Sequence, residues 1–171
     1  STGRVEWYHD ILSKVKSGFK SKQPESIHGS LLATGELLRN TGKFMTNEFD
    51  EICNTVLAYS DHREKMIRRA VVILIPELAK FNKTKFVENY LSKANAIILN
   101  YIKAGFDRNV AYIAIGDLAI DVGGEHIRQY LDAIISTIKD GLTSKRGRPF
   151  VPEALTCAAR LAKSVGELIK D

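Results

Sequence analysis

Residues 66–81 read MIRRAVVILIPELAKF, and this stretch decides the fold class. Its unbroken apolar run, Ala70 to Ile75, is compatible with a buried strand as well as with a helix. The apolar pattern continues beyond Pro76 at steps of three and four residues, which favours a helix that is covered on several sides. Pro76 removes one backbone hydrogen bond inside this predicted helix, so we expect a kink there.

The same pattern occurs three more times along the chain. Each copy holds a leucine, preceded by a charged residue and, before that, by a small or helix-bending residue. The leucines are Leu37, Leu78, Leu118 and Leu161; the charged residues are Glu36, Glu77, Asp117 and Arg160; the small or bending residues are Gly35, Pro76, Gly116 and Ala159. Spacings of 41, 40 and 43 residues between the leucines are typical of HEAT or armadillo arrays, in which each repeat is a pair of helices, A and B.

Four amphipathic helices of an ordinary bundle would also align, but the small and charged positions recur in register with the leucine, which favours the repeat. We therefore predict an all-α fold, an α-solenoid of HEAT-type helix pairs with about eight helices and no sheet. The four leucines should be buried at equivalent positions. The predicted helices are 5–19, 26–40, 46–59, 66–81, 84–103, 107–122 with Asp107 as its cap, 125–142 and 153–170.

The B helices repeat as well, because Tyr90-Leu91 and Tyr130-Leu131 match at a spacing of 40 residues. Residues 143–152, TSKRGRPFVP, form the one clear loop in the pattern. We expect residues 4–171 to be a single repeat segment cut from a longer solenoid, and residues 1–3 to be left over from cloning. The two cut ends should then expose apolar side chains. The candidates are Trp7, Ile11 and Val15 at one end, and Leu161, Val165, Leu168 and Ile169 at the other, less those that pack inward.

The composition is that of an ordinary soluble domain, with 44% hydrophobic and 26% charged residues. The net charge of +5 is mild, so it permits an acidic partner without requiring one. Cys53 and Cys157 lie inside helical patterns, which indicates reduced core residues of an intracellular protein rather than a disulfide. No apolar run is long enough for a membrane span, which needs about 18 residues.

No motif for chemistry stands out in the sequence. Phosphate-binding, dinucleotide-binding and nucleophile-elbow signatures are absent, as is Cys-x-x-Cys, and the four histidines are scattered. Asp117 and Asp121 share a helical face, but the repeat assigns Asp117 to the recurring charged position. We predict no catalytic, cofactor-binding or metal-binding residue. Lys145, Arg146 and Arg148 in the loop are a candidate partner-binding surface; phosphate or nucleic acid is the alternative ligand, with Phe150 as the only aromatic there.

Several stretches occur in the order seen in one known family. They are SIHGSLL at 26–32 with ELLR at 36–39, EFDEIC at 48–53, LIPELAKF at 74–81, AIGDLA at 114–119, and Thr156-Cys157 with LAK at 161–163. In these stretches the chain resembles the N-terminal HEAT region of the TOR (target of rapamycin) kinases, which are phosphatidylinositol-3-kinase-related protein kinases.

The resemblance implies a non-catalytic scaffold segment of a large serine/threonine kinase that controls growth in response to nutrients. It places the kinase domain, with its ATP and magnesium, outside this sequence. The implied partners are other segments of the TOR chain and Raptor- or Rictor-type subunits, in a homodimeric complex. It also implies a cytoplasmic protein, peripheral on endomembranes such as vacuole or lysosome, with no membrane insertion and no nucleic acid. Two other classes stay open: a HEAT-like nucleic-acid enzyme of the DNA glycosylase type, and a transport-receptor or phosphatase scaffold array.

Overall fold

The computed structural model describes residues 2–105, 107–144 and 149–166, and all regular structure within them is helical. This confirms the all-α fold class. Three short 3₁₀ segments, Gly42–Glu48, Tyr59–Asp61 and Arg128–Tyr130, lie between the α-helices. The ten α-helices of the described residues are α1 Thr2–Phe19, α2 Pro24–Asn40, α3 Phe49–Ala58, α4 Lys65–Phe81, α5 Lys83–Asn89, α6 Leu91–Ala104, α7 Arg108–Val122, α8 Gly124–Ile127, α9 Leu131–Leu142 and α10 Glu153–Gly166.

The chain divides into two compact units, Ser1–Asn82 and Lys83–Asp171. The first unit holds α1 to α4 and the second holds α5 to α10. The prediction that residues 4–171 form a single repeat segment is not tested by this division and stays a prediction.

In the first unit, α2 packs against both α1 and α4. A Cβ atom at Gly18 would collide with the Ser30 hydroxyl, so glycine permits the close approach of α1 and α2. Helix α3 contributes five side chains of at most 1% exposure, and one of them, Phe49, stacks on Phe81 with ring centroids 5.7 Å apart. Each fully buried large apolar side chain stabilises the fold by about 1.5–3 kcal/mol.

In the second unit, α7 is the central helix and packs against α6 and α10. Its fully buried Tyr112 donates a hydrogen bond from the phenol to the carbonyl oxygen of Thr137 on α9, at 2.9 Å. Gly141 leaves room for that phenol ring. On α10, the Ser164 hydroxyl donates to the carbonyl oxygen of Ala119 at 2.7 Å. The hydroxyl groups of Tyr112 and Ser164 therefore both have hydrogen-bonding partners on neighbouring helices.

The recurring leucines confirm the repeat frame. Leu37, Leu78, Leu118 and Leu161 are 3%, 0%, 0% and 6% exposed. Buried, intermediate and exposed side chains also follow one another in the same order over residues 71–80 and 111–120. Helices α4 and α7 thus bury equivalent faces, each within its own unit, as the A helices of successive repeats do.

The prediction of unbroken B helices is wrong. The predicted helix 84–103 is divided into α5 and α6 at Tyr90, and the predicted helix 125–142 into α8, a 3₁₀ turn and α9 at Tyr130. In the first repeat, the 3₁₀ segment Gly42–Glu48 precedes α3 in the same way. The helices α3, α6 and α9 begin at residues 49, 91 and 131, so the break itself repeats. This is why ten helices occur where about eight were expected.

The predicted cap at Asp107 is only half right. Asp107 occupies the N-cap position of α7, but its φ is 44°, in the left-handed region, and its carboxylate makes no capping hydrogen bond. An N-cap carboxylate normally reaches the first free amides of its helix from an extended backbone. The left-handed turn at Asp107 is a different way of starting the helix.

Candidate interaction surface

Residues 145–148 of the loop selected from the sequence lie outside the described residues. Lys145, Arg146 and Arg148 therefore remain a predicted partner-binding surface. On the C-terminal side of the loop, the Arg108 guanidinium donates a hydrogen bond to the carbonyl oxygen of Pro149 at 3.0 Å, and Phe150 is 44% exposed. This flank of the loop is thus held against the start of α7.

The metal-ligating residue types are dispersed over the described part of the chain. Within residues 2–105, 107–144 and 149–166, no three His, Cys, Asp or Glu side chains lie together in a way that could hold a metal ion. In the same residues, no helix is both long and apolar enough to cross a membrane. Cys53 and Cys157 are free and buried. Burial raises the pKa of the Cys157 thiol to about 12, so this thiol is protonated and unreactive near neutral pH.

A cleft of ≈ 560 Å³ opens beside the C-terminal ends of α2 and α4. Arg39, Lys43, Lys80 and Glu77 are its charged lining residues. Cations near helix C-termini are favoured by the helix dipole, which accounts for the three basic residues without a ligand. Glu77 is the only carboxylate in this lining, so the cleft has no pair of carboxylates.

The recurring charged position holds ion pairs between neighbouring A helices. Glu77 of α4 lies 3.9 Å from the Arg39 guanidinium of α2, and Asp117 of α7 pairs with Arg160 of α10. A Cβ atom at Gly116 would lie 3.0 Å from the Arg160 Cδ, so the small residue next to the charged one makes room for the arginine. Asp117 is thus engaged by Arg160, as its place at the recurring charged position of the repeat leads one to expect.

A feature that the sequence analysis missed is a repeated exposed apolar position. Five residues before the recurring leucine stand Leu32, Ile73 and Ile113, which are 56%, 44% and 47% exposed. Single exposed apolar side chains are ordinary, but here the same repeat position is apolar and exposed in three repeats. The signal was available in the sequence, because this position is apolar in three copies although it falls outside the buried stripe.

No protein-family model matches the chain. The chain is 38% identical over 168 residues to the serine/threonine-protein kinase TOR of Arabidopsis thaliana, and 39% identical over 164 residues to that of Oryza sativa subsp. japonica. It is 32% identical over 171 residues to the serine/threonine-protein kinase tor1 of Schizosaccharomyces pombe. These alignments cover 98%, 95% and 98% of the chain.

The chain is homologous to a segment of the TOR serine/threonine kinases. It spans only 7% of the length of each of these three relatives. The TOR-related segment is thus a small all-helical piece and not a kinase domain. These relatives favour a segment of a TOR kinase over the two other classes left open by the sequence, which were a nucleic-acid enzyme of the DNA glycosylase type and a transport-receptor or phosphatase scaffold array.

Proposed function

We propose that the TOR-related segment is a non-catalytic helical-repeat scaffold of a large serine/threonine kinase that controls growth in response to nutrients. The segment binds other parts of the kinase chain and companion subunits of the Raptor or Rictor type. ATP and magnesium bind in a kinase domain outside this sequence. The kinase acts as a homodimeric complex in the cytoplasm, on the surface of endomembranes such as vacuole or lysosome.

One observation supports the scaffold role most directly. Leu32, Ile73 and Ile113 present large apolar side chains at the same repeat position on the surface of α2, α4 and α7. Helical-repeat proteins bind partners through extended surfaces built from equivalent positions of successive repeats. Within the first unit, Leu32 and Ile73 expose apolar side chains on the neighbouring helices α2 and α4, and exposed apolar groups of this kind mark protein interaction sites.

The test uses the full-length kinase that contains this segment. One variant carries Leu32→Glu, Ile73→Glu and Ile113→Glu together. The control carries Ile120→Glu, because Ile120 is 43% exposed on α7 but stands outside the repeated position. We expect the triple variant to lose companion subunits on affinity purification while it still phosphorylates a short peptide substrate. The control should keep both properties.

Two results would overturn the scaffold proposal. One is a triple variant that purifies with its full set of subunits. The other is saturable binding of magnesium-ATP to the 171-residue chain in calorimetry, because a non-catalytic scaffold has no site for a nucleotide.

A further inference from the structure

A narrow groove of ≈ 130 Å³ runs between α2 and α4 in the first unit; we name it the α2/α4 groove. Its edges carry Leu32, Met66 and Ile73, which are 56%, 37% and 44% exposed. The buried residues of its floor are Leu31, Gly35, Ala70 and Leu74. A Cβ atom at position 35 would lie 3.2 Å from the Leu74 Cδ2, so glycine there helps to keep the floor open.

The polar lining of the α2/α4 groove is basic. His28, Arg39 and Arg69 are its titratable lining residues, and no carboxylate is among them. The guanidinium groups of Arg39 and Arg69 thus stand beside the apolar edge of Leu32 and Ile73, and that of Arg39 also pairs with Glu36 and Glu77. A ligand that complements this surface has an apolar stripe with acidic side chains beside it.

The length of one lining face of the groove matches that of a short helix. His28, Leu32, Gly35 and Arg39 follow one another at steps of four, three and four residues on α2, so they form one face of that helix. From His28 to Arg39 this face is roughly 16 Å long, or three turns. An amphipathic helix of about three turns presents apolar anchors at matching steps of three and four residues.

Other occupants match the α2/α4 groove less well. A second copy bound through the same groove would bring Arg39 and Arg69 of both copies together, in a chain with net charge +5. Single-stranded nucleic acid is held by aromatic side chains on which bases stack, and the groove lining contains none besides the His28 imidazole.

We propose that the α2/α4 groove docks an acidic amphipathic helix of a partner protein. This inference rests on the proposed scaffold function and names the kind of segment that the scaffold binds. The apolar stripe of the partner helix packs on Leu32, Met66 and Ile73, and its carboxylates face Arg69 and Arg39.

The probes are three fluorescein-labelled peptides of about four turns. The first has leucines at steps of three and four residues and glutamates beside them. The second has lysine in place of every glutamate, and the third has alanine in place of every leucine. Fluorescence anisotropy with the full 171-residue chain measures the affinity. We expect saturable binding of the acidic peptide, and binding at least about tenfold weaker for each of the other two.

The chain offers a matched pair of variants. Ile73→Glu lies in the groove, and Ile120→Glu is its control, because both isoleucines are exposed to nearly the same extent, 44% and 43%. Arg69→Glu tests the charge of the groove. Circular dichroism establishes that each variant is folded. Ile73→Glu and Arg69→Glu should each weaken binding of the acidic peptide at least about tenfold, and Ile120→Glu should not change it.

The groove proposal is overturned if the acidic peptide does not bind, if the basic peptide binds as tightly, or if Ile73→Glu and Ile120→Glu have equal effects. These results are distinct from failure of the scaffold function. If peptide binding fails but the full-length triple variant still loses its subunits, the scaffold stands and the groove is not its docking site. If the peptide binds as expected but that variant keeps its subunits, the groove is a helix-binding site and the scaffold proposal falls.

Discussion

Neighbouring residues of one helix have opposite roles in this protein. On α4, Leu78 has no exposed surface, whereas Ile73, five residues earlier, is 44% exposed. Both are large aliphatic residues, so hydrophobicity alone does not separate them. Their positions in the repeat do, because Leu78 belongs to the leucine position that is buried in all four copies and Ile73 to the position that is exposed in three.

This contrast predicts that truncation to alanine lowers the free energy of unfolding by different amounts at Leu78 and Ile73. Leu78→Ala should lower the free energy of unfolding by roughly 2–5 kcal/mol, because it removes buried methyl groups and leaves a cavity. Ile73→Ala on the same helix should change it by no more than about 0.5 kcal/mol, as is usual for surface positions. Urea unfolding followed by circular dichroism at pH 7 measures both. Equal losses for the two variants would mean that the repeat frame does not describe the packing of α4.

At the scale of the helix, the small and charged positions of the repeat work together. The charged residue pairs with a charged residue of the neighbouring A helix within its unit, as Asp117 of α7 does with Arg160 of α10. The adjacent glycine accommodates that long side chain, since the Cδ of Arg160 lies 3.0 Å from where a Gly116 Cβ would be. Both side chains of the pair are 41% exposed, so solvent screens their attraction and the pair contributes only about 0–1 kcal/mol.

The effect of Gly116→Ala should therefore depend on Arg160. In a helix interior, alanine is more stable than glycine by about 0.5–1 kcal/mol, but here the added methyl group must displace the arginine. In an Arg160→Ala background this obstacle is gone, and Gly116→Ala should be more favourable by at least about 0.5 kcal/mol than in the native background. Denaturant unfolding of the native protein, Gly116→Ala, Arg160→Ala and the double variant measures this difference in free energy.

Gly29→Ala is the control substitution, made in the same native and Arg160→Ala backgrounds. A Cβ atom at Gly29, in α2, would have no heavy atom within 4 Å. Gly29→Ala should thus stabilise the protein by about 0.5–1 kcal/mol in both backgrounds. If the effect of Gly116→Ala is also the same in both, the glycine does not make room for the arginine.

The repeat could be predicted from the sequence because its signal is periodic. Buried leucines at spacings of 40 to 43 residues need no knowledge of the neighbouring helices. The breaks at Tyr90 and Tyr130 could not be predicted in this way, because the apolar pattern runs through them without a glycine or proline. Of the candidates for exposure at the ends, Trp7 is exposed, at 60%, whereas Val15 and Leu161 pack inward within their own units. Ile11 and Val165 are intermediate, and Leu168 and Ile169 lie outside the described residues.

The α2/α4 groove was missed for a related reason. Its edge combines Leu32 of one repeat with Met66 and Ile73 of the next, and only the packing of α2 on α4 brings them together. The sequence instead directed attention to the basic loop at residues 145–148, where three charges lie close together along the chain.

For the molecule as a whole, three titratable groups each make the folded protein less stable as the pH rises into the alkaline range. Burial raises the pKa of the Cys157 thiol from 9.0 to about 12, and burial also raises the pKa of the Tyr112 phenol above 10.0. Hydrogen bonds to Glu48, then to Glu51, raise the pKa of the Lys16 ammonium group above 10.5. In each case the folded protein holds the proton more tightly than the unfolded chain. The stabilisation is complete below the unfolded pKa and is lost as the pH rises from the unfolded toward the folded pKa.

The Cys157 thiol has the lowest ordinary pKa of the three groups, 9.0 against 10.0 and 10.5, so its effect on stability begins at the lowest pH. Between pH 9 and pH 12 the unfolded chain loses the thiol proton while the folded protein keeps it, so the free energy of unfolding should fall by about 1.4 kcal/mol per pH unit from this group alone. In Cys157→Ala this contribution is absent, and the slope between pH 9 and pH 11 should be smaller by that amount, whatever the offset caused by the lost sulfur. Urea unfolding at half-unit pH intervals with a reducing agent measures the slope. Ile73→Ala, which removes no titrating group, should keep the native slope. Equal slopes for the native protein and Cys157→Ala would mean that the thiol ionises as easily in the folded protein as in the unfolded chain, and that the core around α7 and α10 admits water.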